Sequence, residues 1–531
     1  MANFKQMPMA PTQVVMFPVS IEDSLPPDCD VRLVGEAMDA LDWRGFESAY
    51  ADTGRPAYPP KAMCKLLVYG YSKGIRSSRA LEEVVKHDQR YIWLAGGLRP
   101  DHTTIARFRK EHEPRLKAIY RATVRLCTEA GLVLLAVTAT DGSKIPARAS
   151  KRSLYDAKRL AREMAAIDQI LAEAEAADQA EDELYGESAN GQLPQALADA
   201  QRRREKLAEI AARLSESERQ SVAASEEDCR VMKTTQGLRP SYNAQLTVDT
   251  AHGVIVAAEL TQAEHDHGQL AGQLEQVAEN VGCRPDVALA DTGYSDEGTF
   301  KALAESGQEA LIPPQEQSQE AKRNDLFASR CFLPAEGKDV LICPAGQELT
   351  FRRIVRCSSG HYRVYTAANC RDCSFYADCV KVKSKRGRSV QVSVVAAARE
   401  RMRQKLKTPE GKALYGLRQQ TVERVISRLK VGLGLDRFGL AGVGGAGAEW
   451  WLVCAAHNLL TYRRAAPPAA NRAVGHLLDR LANPATAPFR WVFSPCRHIG
   501  EAFSAALLET ENSFCDGLQA PALHIRLPPP K

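Results

Sequence analysis

At 531 residues the chain exceeds the roughly 250–300 that one core supports, so about two to four structural units are expected. Apolar residues make up 44% of it, enough for real cores, and a net charge of +5 does not by itself mark a nucleic-acid binder. The N-terminus has no cationic start leading into an apolar run, and no stretch reaches about 18 uninterrupted apolar residues. This excludes a transmembrane helix and makes a soluble, cytoplasmic protein the expectation. Its 14 cysteines then read as reduced thiols and candidate metal ligands rather than a disulfide frame.

Residues 1–30 are Pro-rich and read as extended, and 31–130 read as helical. PPKAMCKLLVYGYSKG and SSRALEEVVKHD show helical apolar spacing, with Ser77 or Ser78 available as a cap for the second. Asp101 or Thr103 suits the N-cap of the next helix, whose early turns carry Arg107, Arg109 and Lys110. Short helices joined by Gly-containing turns, with a basic N-terminal face, suit a helix-turn-helix reader of DNA, so 1–130 is expected to be a helical DNA-binding domain.

The apolar run to Asp141 predicts a strand, and 131–313 the first part of a catalytic core. Within it, 154–225 holds two Ala-, Glu- and Arg-rich helices around the turn cluster ESANGQ, an inserted helical hairpin. YNAQLTVD and GVIVAAEL flank a turn and predict a β-hairpin. A helix follows over HDHGQLAGQLEQVAENVG, then the strand DVALADTGY, the helix SDEGTFKALAESG and the short strand EALIPP. Residues 314–398 form a Cys- and Lys/Arg-rich insert, 399–465 complete the core with a glutamate-bearing helix and an apolar one, and the Pro- and Ala-rich tail 466–531 is expected to be partly disordered. The order strand, hairpin, helix, strand, helix, strand and late acidic helix is that of an α/β, RNase H-like fold. It would put Asp141 and Asp291 at C-terminal strand ends, where α/β sheets place ligand sites.

Asp141, Asp291 and Glu423 stand out together. Two aspartates ending buried strands and one helical glutamate supply the carboxylate oxygens that Mg²⁺ (or Mn²⁺) prefers. Two such ions, roughly 4 Å apart, can hold the attacking and leaving oxygens of a phosphodiester in line. On the glutamate helix, Tyr415 and Arg418 precede Glu423 and Lys430 follows it. At about 100° per residue Glu423 and Lys430 come within about 20° of each other, beside an apolar stripe of Val422, Val425, Ile426 and Leu429. Asp249 is a rival second carboxylate, but it falls inside the predicted hairpin.

The segments TATDGSKIPARAS, SYNAQLTVD and ALADTGYSD, with Tyr415, Arg418, Glu423 and Lys430 in a Y-x2-R-x4-E-x6-K array, resemble bacterial insertion-sequence transposases of the DDE class. CPAGQEL followed by CRDCSFYADC resembles the Cys-rich insert of one subgroup, and PDHTTIARFRK its N-terminal segment. The Arg-to-Glu interval is one residue longer than the commonly quoted signature. The resemblance implies that Asp141, Asp291 and Glu423 hold two metal ions and that Tyr415, Arg418 and Lys430 face DNA. It implies cleavage at transposon ends and strand transfer into target DNA, cut-and-paste fashion. The expected partners are the terminal inverted repeats and target DNA as double strands, with at least a dimer on paired ends. A DNA-binding protein that keeps the fold without the chemistry, or another RNase H-like nuclease, are the alternatives.

Cys370, Cys373 and Cys379 form C-x2-C-x5-C, with Cys343 upstream. Such spacing suits a tetrahedral structural Zn²⁺, with Cys331, Cys357 and His361 as other candidates for a fourth ligand. The following basic run, Lys381, Lys383, Lys385, Arg386 and Arg388, is a candidate phosphate contact.

Overall fold

A computed structural model describes residues 20–50, 56–185, 195–217, 219–314, 327–335, 337–357, 360–367, 370–380 and 387–465, the side chains of 177–185, 195–196 and 330 excepted. The expected disorder of 466–531 and the basic residues Lys381, Lys383, Lys385 and Arg386 fall outside them.

The chain is mixed α/β. β1 (Val137–Pro146) is the hub of the main sheet. β2 (Leu154–Asp156) and β3 (Ser221–Ala223) pair at the base of two long helices, Ala157–Tyr185 and Gln195–Glu216. These helices pack on a small core of their own, from Leu160, Ile167, Leu207, Ile210 and Val222. β4 (Arg230–Thr234), β5 (Gly237–Asp249) and β6 (Ile255–Thr261) follow, then β7 (Val287–Leu289) and β8 (Glu309–Leu311). β5 is long enough to pair with β4 along its first part and with β6 along its last, both on the edge away from β1. β1 pairs antiparallel with β5 and parallel with β7, which pairs parallel with β8. With β4 set aside, the order is third, second, first, fourth, fifth, an antiparallel half joined to a parallel half, as the predicted element order requires.

β5 alternates strictly. Tyr242, Ala244, Leu246 and Val248 are buried on one face, and Ser241, Asn243, Gln245, Thr247 and Asp249 are buried on the other. Such alternation usually marks a strand with one wet face, but here helices cover both sides. Gln273, on the helix Gln269–Val281, accepts from Thr247 Oγ1 at 3.2 Å.

The N-terminal helices do not build a separate core. Leu67 and Tyr69 of Pro60–Ser72, Tyr120 of Glu113–Glu129 and Trp450 of Gly442–Ala465 join the sheet in one hydrophobic cluster. The last of these helices is buried nearly all round, and its Asn458 bonds both the amide and the carbonyl of Ile255 in β6, at 2.9 and 3.0 Å. No helix among the described residues is long and apolar enough to cross a membrane.

The Cys-rich segment forms a second antiparallel sheet: β9 (Leu333–Pro334), β10 (Val340–Ile342), β11 (Glu348–Cys357), β12 (Gly360–Ala367) and β13 (Ser389–Ser393). Its core is small: Phe332, Leu341, Leu349, Tyr365, Ala367 and Val390.

Candidate active site

Asp141 does not end its strand, as expected from the sequence, but sits inside β1. The long partner β5 keeps β1 paired as far as Pro146 opposite Ser241. The parallel partner β7 pairs only with Val137–Ala139, so Asp141 lies just past the end of that ladder. Asp291 follows β7 and caps the next turn, its Oδ1 accepting from Gly293 N at 2.8 Å. The two aspartates therefore come from neighbouring parallel strands, close to where the β1–β7 pairing stops.

The glutamate helix is not a plain α-helix. Pro409–Arg418 is α-helical, Gln419–Glu423 is a π turn, Arg424–Ser427 is α again, and Arg428–Gly432 is a second π turn. An α-helix would turn residues five apart to well separated azimuths, whereas a π turn repeats at i→i+5 and brings them together. Arg418 and Glu423 are five apart, and Arg418 Nη1 reaches Glu423 Oε1 at 3.2 Å. The extra residue between them is absorbed by the wider turn. The angular relation of Glu423 to Lys430, worked on a uniform helix, is corrected for the same reason.

Arg418 draws the three carboxylates together. Its Nη2 lies 3.0 Å from Asp141 Oδ2 and 3.9 Å from Asp291 Oδ2, while Nη1 takes Glu423. Arg418 and Asp141 are largely buried, and Glu423 is about half exposed at 47%. Burial pushes the Asp141 carboxyl up to about 6, Asp291 and Asp266 adding to the rise against Arg418. Burial also works against the Arg418 charge, but Asp141, Tyr415, Asp291 and Glu423 outweigh it and hold the guanidinium protonated. Arg418 Nε is buried without a hydrogen-bond partner among the described residues. Burial raises the Tyr415 hydroxyl, which feels the charges of Arg418, Asp291, Asp141 and Glu423. Burial lowers the Lys430 ammonium, while Asp141 opposes the fall.

Asp266 was not singled out in the sequence. Its Oδ1 accepts from Lys144 Nζ at 2.8 Å and from Asn243 Nδ2 and Gln245 Nε2 at 2.7 Å each. Burial alone would raise this carboxyl, but Lys144 and the two amides hold it below the usual range. Tyr294, buried beside the aspartates, donates to Gln245 Oε1. Two glycines make room. A Cβ on Gly142 would collide with Asp266 Oδ1 and Gln245 Nε2, and one on Gly293 would lie 2.9 Å from Asp291 Oδ1 and 3.3 Å from Asp266 Oδ2. The available signal was the run of polar residues at every second position of β5, which a covered face must satisfy.

Asp249 is accounted for structurally. It is buried, and its carboxylate accepts from the amides of Leu134, Leu135 and Ala251 at 3.1, 2.8 and 3.0 Å. Those bonds hold the turn in which Leu135 takes φ 54°.

Among the basic residues of His102–Glu111, Arg107 and Lys110 are exposed but Arg109 is buried. The guanidinium of Arg109 donates to Tyr71 Oη at 3.1 Å, to the Arg76 carbonyl at 2.8 Å and to Ser78 Oγ. Arg109 is thus removed from the expected DNA face: a buried charge needs partners, and its Nη donors are spent on these three, while its Nε has none among the described residues. Asp101, rather than Thr103, caps this helix by accepting from Thr104 N at 2.7 Å. Ser77 makes no side-chain cap bond.

Cys343, Cys370, Cys373 and Cys379 line one small cavity at the end of the second sheet. Cys331, Cys357 and His361 do not line it. His361 instead joins this sheet to the core, its amide donating to Glu297 Oε2 at 2.5 Å and its Nδ1 lying 3.1 Å from Glu297 Oε1. Among the described residues no three His, Cys, Asp or Glu side chains stand close enough to hold an ion without moving.

Two protein families match the chain. The Transposase DDE domain matches residues 342–462, which include Tyr415, Arg418, Glu423 and Lys430. The Transposase domain (DUF772) matches residues 19–111, the N-terminal helices. No curated protein matches. One transposase family on the N-terminal helices and the DDE family on the helix that carries Glu423 together indicate an insertion-sequence transposase of the DDE class, for which an RNase H-like core is implied.

Proposed function

We infer that this transposase cuts DNA at the ends of its element in a divalent-metal-dependent reaction and joins the freed 3′ ends to target DNA. The observation that carries this reading is the meeting of Asp141, Asp291 and Glu423 around one positive charge, the Arg418 guanidinium. The donor set suits a hard divalent cation: three carboxylates, one of them buried so deeply that the Arg418 charge does not offset its burial. Two such ions bound by Asp141, Asp291 and Glu423 would supply Lewis acidity at the attacking and leaving oxygens of a phosphodiester.

The chain's own residues orient and hold. The β1–β5 ladder fixes the backbone that carries Asp141 and a turn fixes that of Asp291, so only side chains need move for the carboxylates to close on an ion. Lys144, Asn243 and Gln245 steady Asp266 behind them. Lys430 and Tyr415 stand beside the carboxylates, where they can meet a DNA phosphate. With cations held by the carboxylates, Arg418 would be free to turn its donor fork to a phosphate as well. No covalent intermediate on the protein is needed. Arg107 and Lys110 offer exposed charge for duplex DNA, and two ends acted on together would call for at least two copies.

The test is Mg²⁺-dependent cleavage of DNA carrying the element's ends, with Asp291→Asn beside the wild type. Specific cutting by the wild type, abolished in Asp291→Asn while DNA binding survives, supports the reading. Binding without cutting by both proteins turns it toward a DNA-binding protein without the chemistry, and cutting by Asp291→Asn removes Asp291 from the site.

A further inference from the structure

We propose that the second sheet carries a structural zinc ion held by Cys343, Cys370, Cys373 and Cys379. The four cysteines come from three separate stretches, the turn after β10, the turn Cys370–Asp372 with its flank, and the short helix Tyr376–Cys379. Folding brings all four to one cavity of about 20 Å³, room for one atom-sized guest, above Phe332 and Leu349.

Backbone amides are aimed at two of the sulfurs. Gln347 N donates to Cys343 Sγ at 3.2 Å, in a tight turn closed by Cys343 N to Gln347 O at 2.9 Å and Gly346 N to Cys343 O at 2.8 Å. Arg388 N donates to Cys370 Sγ at 3.4 Å. Glycines permit both approaches. Gly346 has φ 78° and Gly387 φ 79°, and a Cβ on Gly387 would lie 2.9 Å from Cys370 Cβ. The turn with Cys373 N bonded to Cys370 O at 3.2 Å sets the C-x2-C pair side by side.

The sheet has a reason to need an ion. Among the described residues its five strands share a core cluster of six buried residues, which is little apolar burial for a unit of that size, and metal binding can supply the missing folding energy. A full set of four thiolates makes a closed tetrahedral shell, a structural site without an open position for chemistry. Loading requires the sulfurs to turn into the cavity they line, since they do not yet gather at ligand distance. The ion would hold together a sheet that His361 and Glu297 fasten to the core carrying Asp291.

The test is the zinc content of the full-length protein, purified without chelator and measured by elemental mass spectrometry. About one zinc per chain is expected, falling at least tenfold in Cys370→Ser/Cys373→Ser. It should be unchanged in Cys283→Ser, whose thiol lies outside the cavity, and in Asp291→Asn, which separates this site from the one proposed for catalysis. Cobalt exchange into the wild type gives a second reading that does not depend on a variant folding. Intense thiolate-to-cobalt bands and tetrahedral d–d bands support a four-sulfur site. Wild-type protein that purifies without zinc and takes up neither zinc nor cobalt overturns the proposal, as does zinc retained in the double variant.

Discussion

Replacing Asp141 by Asn should make the metal-free protein more stable at alkaline pH while removing its activity. The folded-state carboxyl is raised to about 6 from an ordinary 3.8, chiefly by burial. A carboxylate whose pKa rises on folding opposes folding wherever it is ionised. The cost is absent below the unfolded value, grows as pH climbs between the two, and is complete above the folded value. A shift of roughly two units at about 1.36 kcal/mol each sets it at about 3 kcal/mol at pH 8 and about half that at pH 5. The attraction of Arg418 is already contained in that net shift, and Asn has the shape of the protonated acid. Equilibrium urea unfolding with EDTA at both pH values measures the difference. The variant should gain about 3 kcal/mol at pH 8 and clearly less at pH 5. Adding Mg²⁺ or Ca²⁺ should then stabilise the wild type and not the variant. A variant less stable than wild type at pH 8, or a gain that does not change with pH, would refute the idea that Asp141 is a strained, buried charge awaiting a cation.

Other outcomes follow from the same contacts. Asp266→Asn leaves Lys144 without its carboxylate and sets amide against amide, so a loss of about 1–3 kcal/mol in stability is expected together with reduced cleavage; unchanged urea midpoint and rate would remove Asp266 from the support of the site. Gly142→Ala should displace Asp266 and lower cleavage at least tenfold without altering end binding, as read by gel shift and nicking assays side by side. Arg107→Ala and Lys110→Ala should each weaken DNA binding at low salt and reduce the salt slope by about 1. Arg109→Ala should instead destabilise the fold by about 1–3 kcal/mol through loss of its bonds to Tyr71, Arg76 and Ser78, read by urea unfolding.

The strand and helix order of the core could be read from the sequence because its periodicities are clean and its turns are marked. Buried apolar runs end near both aspartates, and the helices after β6 and β7 carry ordinary apolar spacing. The end of the apolar run at Asp141 reads as the end of the strand, yet cross-strand pairing with β5 carries the strand beyond it. Arg109 looked like its neighbours because a one-dimensional pattern cannot tell a solvated arginine from one whose donors are met by Tyr71 and Ser78, distant in sequence. Asp266 escaped notice for the opposite reason. Its partners lie on two strands, and the position 266 itself belongs to a loop between β6 and the next helix. In the Cys-rich segment β9 and β10 were hidden by their brevity, and β11 by an exposed face that leaves little apolar alternation.

The two wide turns flanking Arg424–Ser427 change what a spacing in a signature means. A helix measures azimuth by turns completed, and a residue added within a π turn costs the downstream chain almost no rotation. An interval that looks wrong when counted along the sequence can therefore be right when counted around the axis. Deleting Gln419 or Gln420 to restore the shorter interval would narrow the turn and keep Arg418 and Glu423 facing each other. An insertion in the straight segment Pro409–Arg418 would have no such slack and would swing Tyr415 off the cleft. The helix carries its tolerance to length change locally, in the turn between its arginine and its glutamate.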